Sequence, residues 1–135
     1  MGTYNNSEDN TRKIILPPYL RAWFSRRRSW HQETVRVHAE CRNIADGAAA
    51  TVAVYGAVDG QKLGAAIRTA DGKISKGRLV GADGQNGVEH KLDWRLTPSL
   101  AGATGLVATV KVPDYAAAAD STPLELDLRP YSISG

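Results

Sequence analysis

Thr34–Cys41 reads TVRVHAEC, and its side chains alternate strictly. Val35, Val37, Ala39 and Cys41 fall on one side, Arg36, His38 and Glu40 on the other. A period of two is that of an extended strand, whose successive side chains point to opposite faces. An apolar face backed by a polar one marks a strand with one buried and one solvated side, the habit of antiparallel sheets. Three later stretches repeat the pattern: Val88–Leu96 (VEHKLDWRL), Leu106–Val112 (LVATVKV) and Leu124–Arg129 (LELDLR). In the first, Val88, His90, Leu92, Trp94 and Leu96 share a face, which makes Trp94 a core anchor between sheets. In the second, Val107, Thr109 and Lys111 take the solvent side.

Between these strands lie the less regular runs Ala50–Tyr55, Lys62–Thr69 and Lys73–Val80, punctuated by Asp-Gly at 46–47, 59–60, 71–72 and 83–84. Asp-Gly suits a tight turn because glycine accepts positive φ and aspartate tolerates it. Short strands between regular turn signals indicate a sandwich or barrel. A calcium loop would need a ladder of alternating aspartates, which is missing. Ala116–Pro123 reads as a loop, with room for a helical turn, leading into the last strand. The fold class expected is all-β: an antiparallel immunoglobulin-like β-sandwich of seven or eight strands spanning residues 33–135, preceded by an N-terminal arm, residues 1–32. At 135 residues the chain is long enough to bury a core without metal or disulfide staples.

The arm differs in character from the body. Residues 1–45 carry eight Lys/Arg against four Asp/Glu, whereas residues 46–135 carry nine against ten. Within YLRAWFSRRRSWH (19–31), Leu20, Trp23 and Phe24 stand at helical spacing, and a short amphipathic helix competes closely with an extended strand. Pro17-Pro18 ahead of it interrupts regular pairing. Trp and Arg are enriched where proteins bind one another. Leu20, Trp23, Phe24 and Trp30 are therefore candidate anchors for a protein partner or a second copy of the chain, and Arg26, Arg27 and Arg28 candidate steering charges. The competing interpretation is that the rings cap the sandwich and the arginines form a solvated strip. Leu124–Arg129 and Ile14–Leu16 are candidate free edges.

Signatures of catalysis are not found: no nucleophile elbow, no phosphate loop, no H-E-x-x-H and no paired C-x-x-C. His31, His38 and His90 are too scattered for a metal centre, and His90 reads as a satisfied core or edge histidine. No catalytic residue, metal ligand or cofactor is assigned. The single Cys41 fits a reducing compartment. MGTYNNSEDNTRK lacks the apolar stretch of a secretory signal, so synthesis in the cytoplasm is expected, with export by a machine that reads no such signal left open. No apolar run reaches the about 20 residues of a membrane span. Carbohydrate binding, through Tyr55, Tyr115, Tyr131 or Trp94, is the first alternative. Nucleic-acid binding through Arg26–Arg28 is the second, weakened by a body without excess positive charge.

VRVHAECRNIADGAAATVAVYGAVDGQKLGAA (35–66), followed by VEHKLDWRL, GLVATVKV and LELDL, resembles bacterial immunoglobulin-like or fibronectin-like sandwiches found on or beside the spike proteins of contractile secretion systems and phage-like tails. The resemblance spans about two-thirds of the chain. It implies an accessory β-domain without catalytic residues, in the service of a larger assembly. The Cys–Trp–Cys arrangement of true immunoglobulin domains is not present, since only Cys41 and Trp94 stand in the body.

Overall fold

A computed structural model describes residues 16–30, 33–91 and 102–126. Among them the chain is nearly all β. Ten strands follow in order: β1 Tyr19–Phe24, β2 Arg28–Ser29, β3 Thr34–Arg42, β4 Ala49–Val58, β5 Gln61–Ser75, β6 Arg78–Gly81, β7 Val88–Lys91, β8 Gly105–Val112, β9 Ala117–Asp120 and β10 Leu124–Leu126. They form one curled sheet in the order β1-β3-β6-β5-β4-β8-β10-β2, with β7 beside β3 and β9 beside β8. The expected wholly antiparallel arrangement is broken where β2 and β10 run parallel, Arg28 opposite Glu125 and Ser29 opposite Leu126, and at the isolated parallel bridge between Val80 and Gly87.

The first and last members of that order, β1 and β2, are consecutive in the chain. The segment 19–29 thus pairs antiparallel with β3 along its first half and parallel with β10 along its second. A strand that changes partners in this way makes the corner of a curled sheet. Residues 19–24 and 28–29, placed by the sequence in a separate arm, are strands of the same sheet as the body.

Burial follows the alternation. Val35, Val37, Ala39 and Cys41 of β3 are sealed against Val52 and Val54 of β4, Ile74 of β5, Leu79 of β6, Leu106, Ala108, Val110 and Val112 of β8, and Leu124 of β10. Each such valine or leucine contributes about 1.5–3 kcal/mol when taken fully out of water.

Four expectations need correction. First, β8 is buried on both faces: Val107 is 3% and Thr109 4% exposed, and Lys111 alone stays in solvent. Tyr55 stands opposite Val107, and beyond it Lys62 sits 4.9 Å from the Tyr55 ring and 2.9 Å from Asp120, which accepts the Thr109 hydroxyl at 2.6 Å. This polar strap covers the face that alternation left open. Second, Asp71-Gly72 is no turn but lies inside the continuous 15-residue β5. Gly72 is there for closeness, since a Cβ would meet the Val80 carbonyl at 2.7 Å. The turn falls at Lys76-Gly77, both left-handed at φ 52° and 75°, the geometry of a two-residue hairpin. The Asp46 carboxylate accepts the Lys76 N–H at 2.7 Å and holds the turn in place.

Third, β10 is no free edge, being paired to β8 on one side and β2 on the other. Of the other candidate edge, Leu16 is described and belongs to no strand. Fourth, the alanines 117–119 form β9 against β8, and the helical turn precedes them as a 3₁₀ turn at Pro113–Tyr115. Ile14, Ile15, His31, Trp94, Tyr131 and residues 127–129 lie outside the described residues.

Candidate docking surface

β1 takes the extended alternative, and the period of two sorts its side chains. Leu20, Ala22 and Phe24 turn inward: Ala22 is 6% and Phe24 8% exposed, and Leu20 packs against the same core. Phe24 is therefore a core residue and not an external anchor, which corrects the expectation for that ring. The i, i+3, i+4 spacing misled because Trp23 and Phe24, adjacent in sequence, point to opposite faces of a strand.

Tyr19, Arg21 and Trp23 face outward and meet β3 as three rungs. Arg42 lies 5.4 Å from the Tyr19 ring, Arg21 bonds Glu40 at 3.0 Å, and Trp23 stacks on His38 with centroids 5.7 Å apart and planes 21° apart. The Arg21 guanidinium also lies 4.6 Å from the Trp23 ring centre. The register supplies this order, pairing Tyr19 with Arg42, Arg21 with Glu40 and Trp23 with His38. Such directly opposed pairs contribute about 0.2–1 kcal/mol each. Burial, helped by the charges of Arg36 and Arg78, holds His38 below its ordinary pKa, which favours the neutral ring.

The basic cluster is partly neutralised by its own chain. Arg26 bonds Glu33 at 2.8 Å and Arg28 bonds Glu125 at 3.0 Å, both pairs exposed. Glu33 also accepts the Trp30 backbone N–H at 2.7 Å, the main reason its carboxyl lies below the usual range. Trp30 is half-buried. Arg27 is exposed, without a carboxylate partner among the described residues, and its carbonyl accepts the Glu125 N–H at 2.8 Å. The structure thus places Trp23 with the outer rungs, and Arg26, Arg27, Arg28 and Trp30 around the corner from β1 to β2. Leu20 and Phe24 go inside.

Sequence reading missed the β3 half of the surface. Arg36 was assigned only to a polar face, yet it grips the loop before β7, donating to the carbonyls of Asn86 at 2.9 Å and Gly87 at 2.8 Å and pairing with Asp83 at 3.3 Å. The alternation told which β3 residues face outward; it could not tell which strand lies beside them.

His90 is 1% exposed with both ring nitrogens unpartnered. Its core placement agrees with the sequence, but the expectation that it is satisfied does not hold. Desolvation, with the charge of Arg68 adding to it, lowers its pKa to about 4. Cys41 is buried, and burial together with Asp46 raises its thiol pKa, which makes it a poor nucleophile. Of the carbohydrate candidates, Tyr55 lies under Lys62, and the Tyr115 hydroxyl accepts the Ala45 N–H at 3.0 Å.

No group of three or more His, Cys, Asp or Glu among the described residues could hold a metal ion, and no helix among them is long and apolar enough to cross a membrane. No protein-family model, curated protein or solved structure matches the chain.

Proposed function

We propose that this chain is a non-enzymatic protein-binding or structural module of a larger assembly, built on an immunoglobulin-like sandwich and docking through the outer face of β1 and β3. The observation that carries this reading is the row Tyr19, Arg21, Trp23 set against Arg42, Glu40 and His38. Tyrosine, tryptophan and arginine on a rigid paired strand are the residue types that dominate binding energy between proteins, and a sheet holds them at little entropic cost. Of the corner arginines, Arg27, exposed and without a carboxylate partner among the described residues, favours an acidic partner. The resemblance to accessory domains of secretion-system and phage-like spikes suits a module of this kind. A carbohydrate-binding role is the second reading, favoured by Tyr19 and Trp23 lying on one sheet face.

The test uses the whole chain and the double variant Arg21→Ala/Trp23→Ala, which leaves the inward residues untouched. With melting temperatures matched to within a few degrees, the variant is expected to lose the partners that the parent retains from its native host. Equal recovery of the same partners by both proteins refutes docking at this face. Binding of the parent on a glycan array, abolished in the variant, would move the assignment to the second reading.

A further inference from the structure

Among the described residues, the large apolar side chains left exposed are Leu16, at 58%, and Tyr19, at 43%. Single exposed apolar residues need no explanation. These two lie three positions apart and bracket Pro17-Pro18, both also exposed. Leu16 and Pro17 each precede a proline, which disfavours helical backbone and biases both toward extended or polyproline II geometry. The proline rings fix their own φ in the same region. No strand pairing reaches residues 16–18.

Two contacts tether the segment to the sheet. The Asn43 side-chain amide donates to the Pro17 carbonyl at 2.9 Å, and Arg42 packs against the Tyr19 ring at 5.4 Å. Asn43 reaches back from a left-handed turn, φ 63°, at the end of β3. A polyproline II helix has three residues per turn, so residues three apart share a face. In that geometry Leu16 and Tyr19 form one apolar edge with a proline on each inner side.

We infer that Leu16–Tyr19 is a preformed polyproline II ligand that docks into the aromatic-lined groove of a partner protein. The inference rests on the protein-binding reading above and names the class of partner. Proline-stiffened segments bind such grooves because little chain entropy is left to lose, and the Asn43 and Arg42 tethers reduce it further. The Arg42 guanidinium beside Tyr19 favours a groove with an acidic rim.

The experiment is calorimetric titration of the whole chain against a set of isolated WW-type and SH3-type domains. The parent is compared with Pro17→Ala/Pro18→Ala, Tyr19→Ala and Lys73→Ala. At least one domain is expected to bind, weakened about tenfold or more, about 1.4 kcal/mol, by the proline and Tyr19 changes and unaffected by Lys73→Ala on the exposed side of β5. Matched melting temperatures guard against misfolding. Absence of binding to every domain, or binding indifferent to the prolines, overturns the inference. Its failure is separable from that of the wider reading: partners lost on Arg21→Ala/Trp23→Ala but kept by the proline variant would sink the polyproline ligand alone.

Discussion

His90 illustrates how one residue sets a response to acid. In an unfolded chain its imidazole titrates near 6.5, whereas in the fold it does so at about 4. Between those values the unfolded chain takes up a proton that the folded chain refuses, so stability rises with pH across the window. The contribution is complete above pH 6.5 and is lost as pH falls to about 4, on the order of 3 kcal/mol in all. His90→Leu is expected to remove this slope and to raise stability by sparing two unpartnered buried nitrogens; denaturant melts at pH 4.5 and 7.5 measure both effects. A slope unchanged in the variant would assign acid sensitivity elsewhere. A second residue-scale test concerns Phe24. Phe24→Ala is expected to cost about 3–5 kcal/mol, as for a core ring, and Trp23→Ala, next to it in sequence, no more than about 1 kcal/mol. Equal costs would contradict the inward and outward assignment of β1.

At the scale of elements, the hairpin β5–β6 carries its own tests. Gly72→Ala puts a methyl group 2.7 Å from the Val80 carbonyl and is expected to cost about 1–3 kcal/mol through overpacking. Gly77→Ala brings a methyl group 3.1 Å from the Cys41 carbonyl, a milder approach, and strains a backbone at φ 75°, the strain alone costing about 1–2 kcal/mol. Thermal melts rank the two. The same hairpin shows where the sequence is legible. Strand β3 is readable because alternation and burial coincide along it, Val35 to Cys41 inward without interruption. Strand β5 is not, because its first half leaves both faces half-exposed, so no periodic signal separates strand from loop. The Asp-Gly rule fails at 71–72 because glycine also permits close approach of strands, and nothing in the dipeptide says which use applies. Strand β9 is hidden because alanine favours no face. At the candidate site, Trp23 and Arg26–Arg28 were legible as residue types, but their partners were not. Glu125 lies 97 residues from Arg28, and such pairing is invisible to local pattern.

For the whole molecule, the segment 19–29 is the decisive part. It covers the flank of β3 and the flank of β10, so a truncated protein beginning at residue 33 would expose both edges and lose Phe24 and Ala22 from the core. That form is expected to aggregate or to unfold without cooperativity, measured by sedimentation and by the sharpness of its melt; a cooperative, monomeric truncated form would show that β1 and β2 are dispensable. Pairing β2 with β10, which brings together Arg28 and Glu125 from 97 residues apart, also makes folding depend on contacts of long sequence separation, which slows folding. Tension bears on the same junction. Where two parallel strands are pulled by opposite ends of one polypeptide, their hydrogen bonds lie across the load and are sheared together, not unzipped one at a time. At the pairing of Arg28 and Ser29 with Glu125 and Leu126, a pull on the outer ends of those two strands acts in shear.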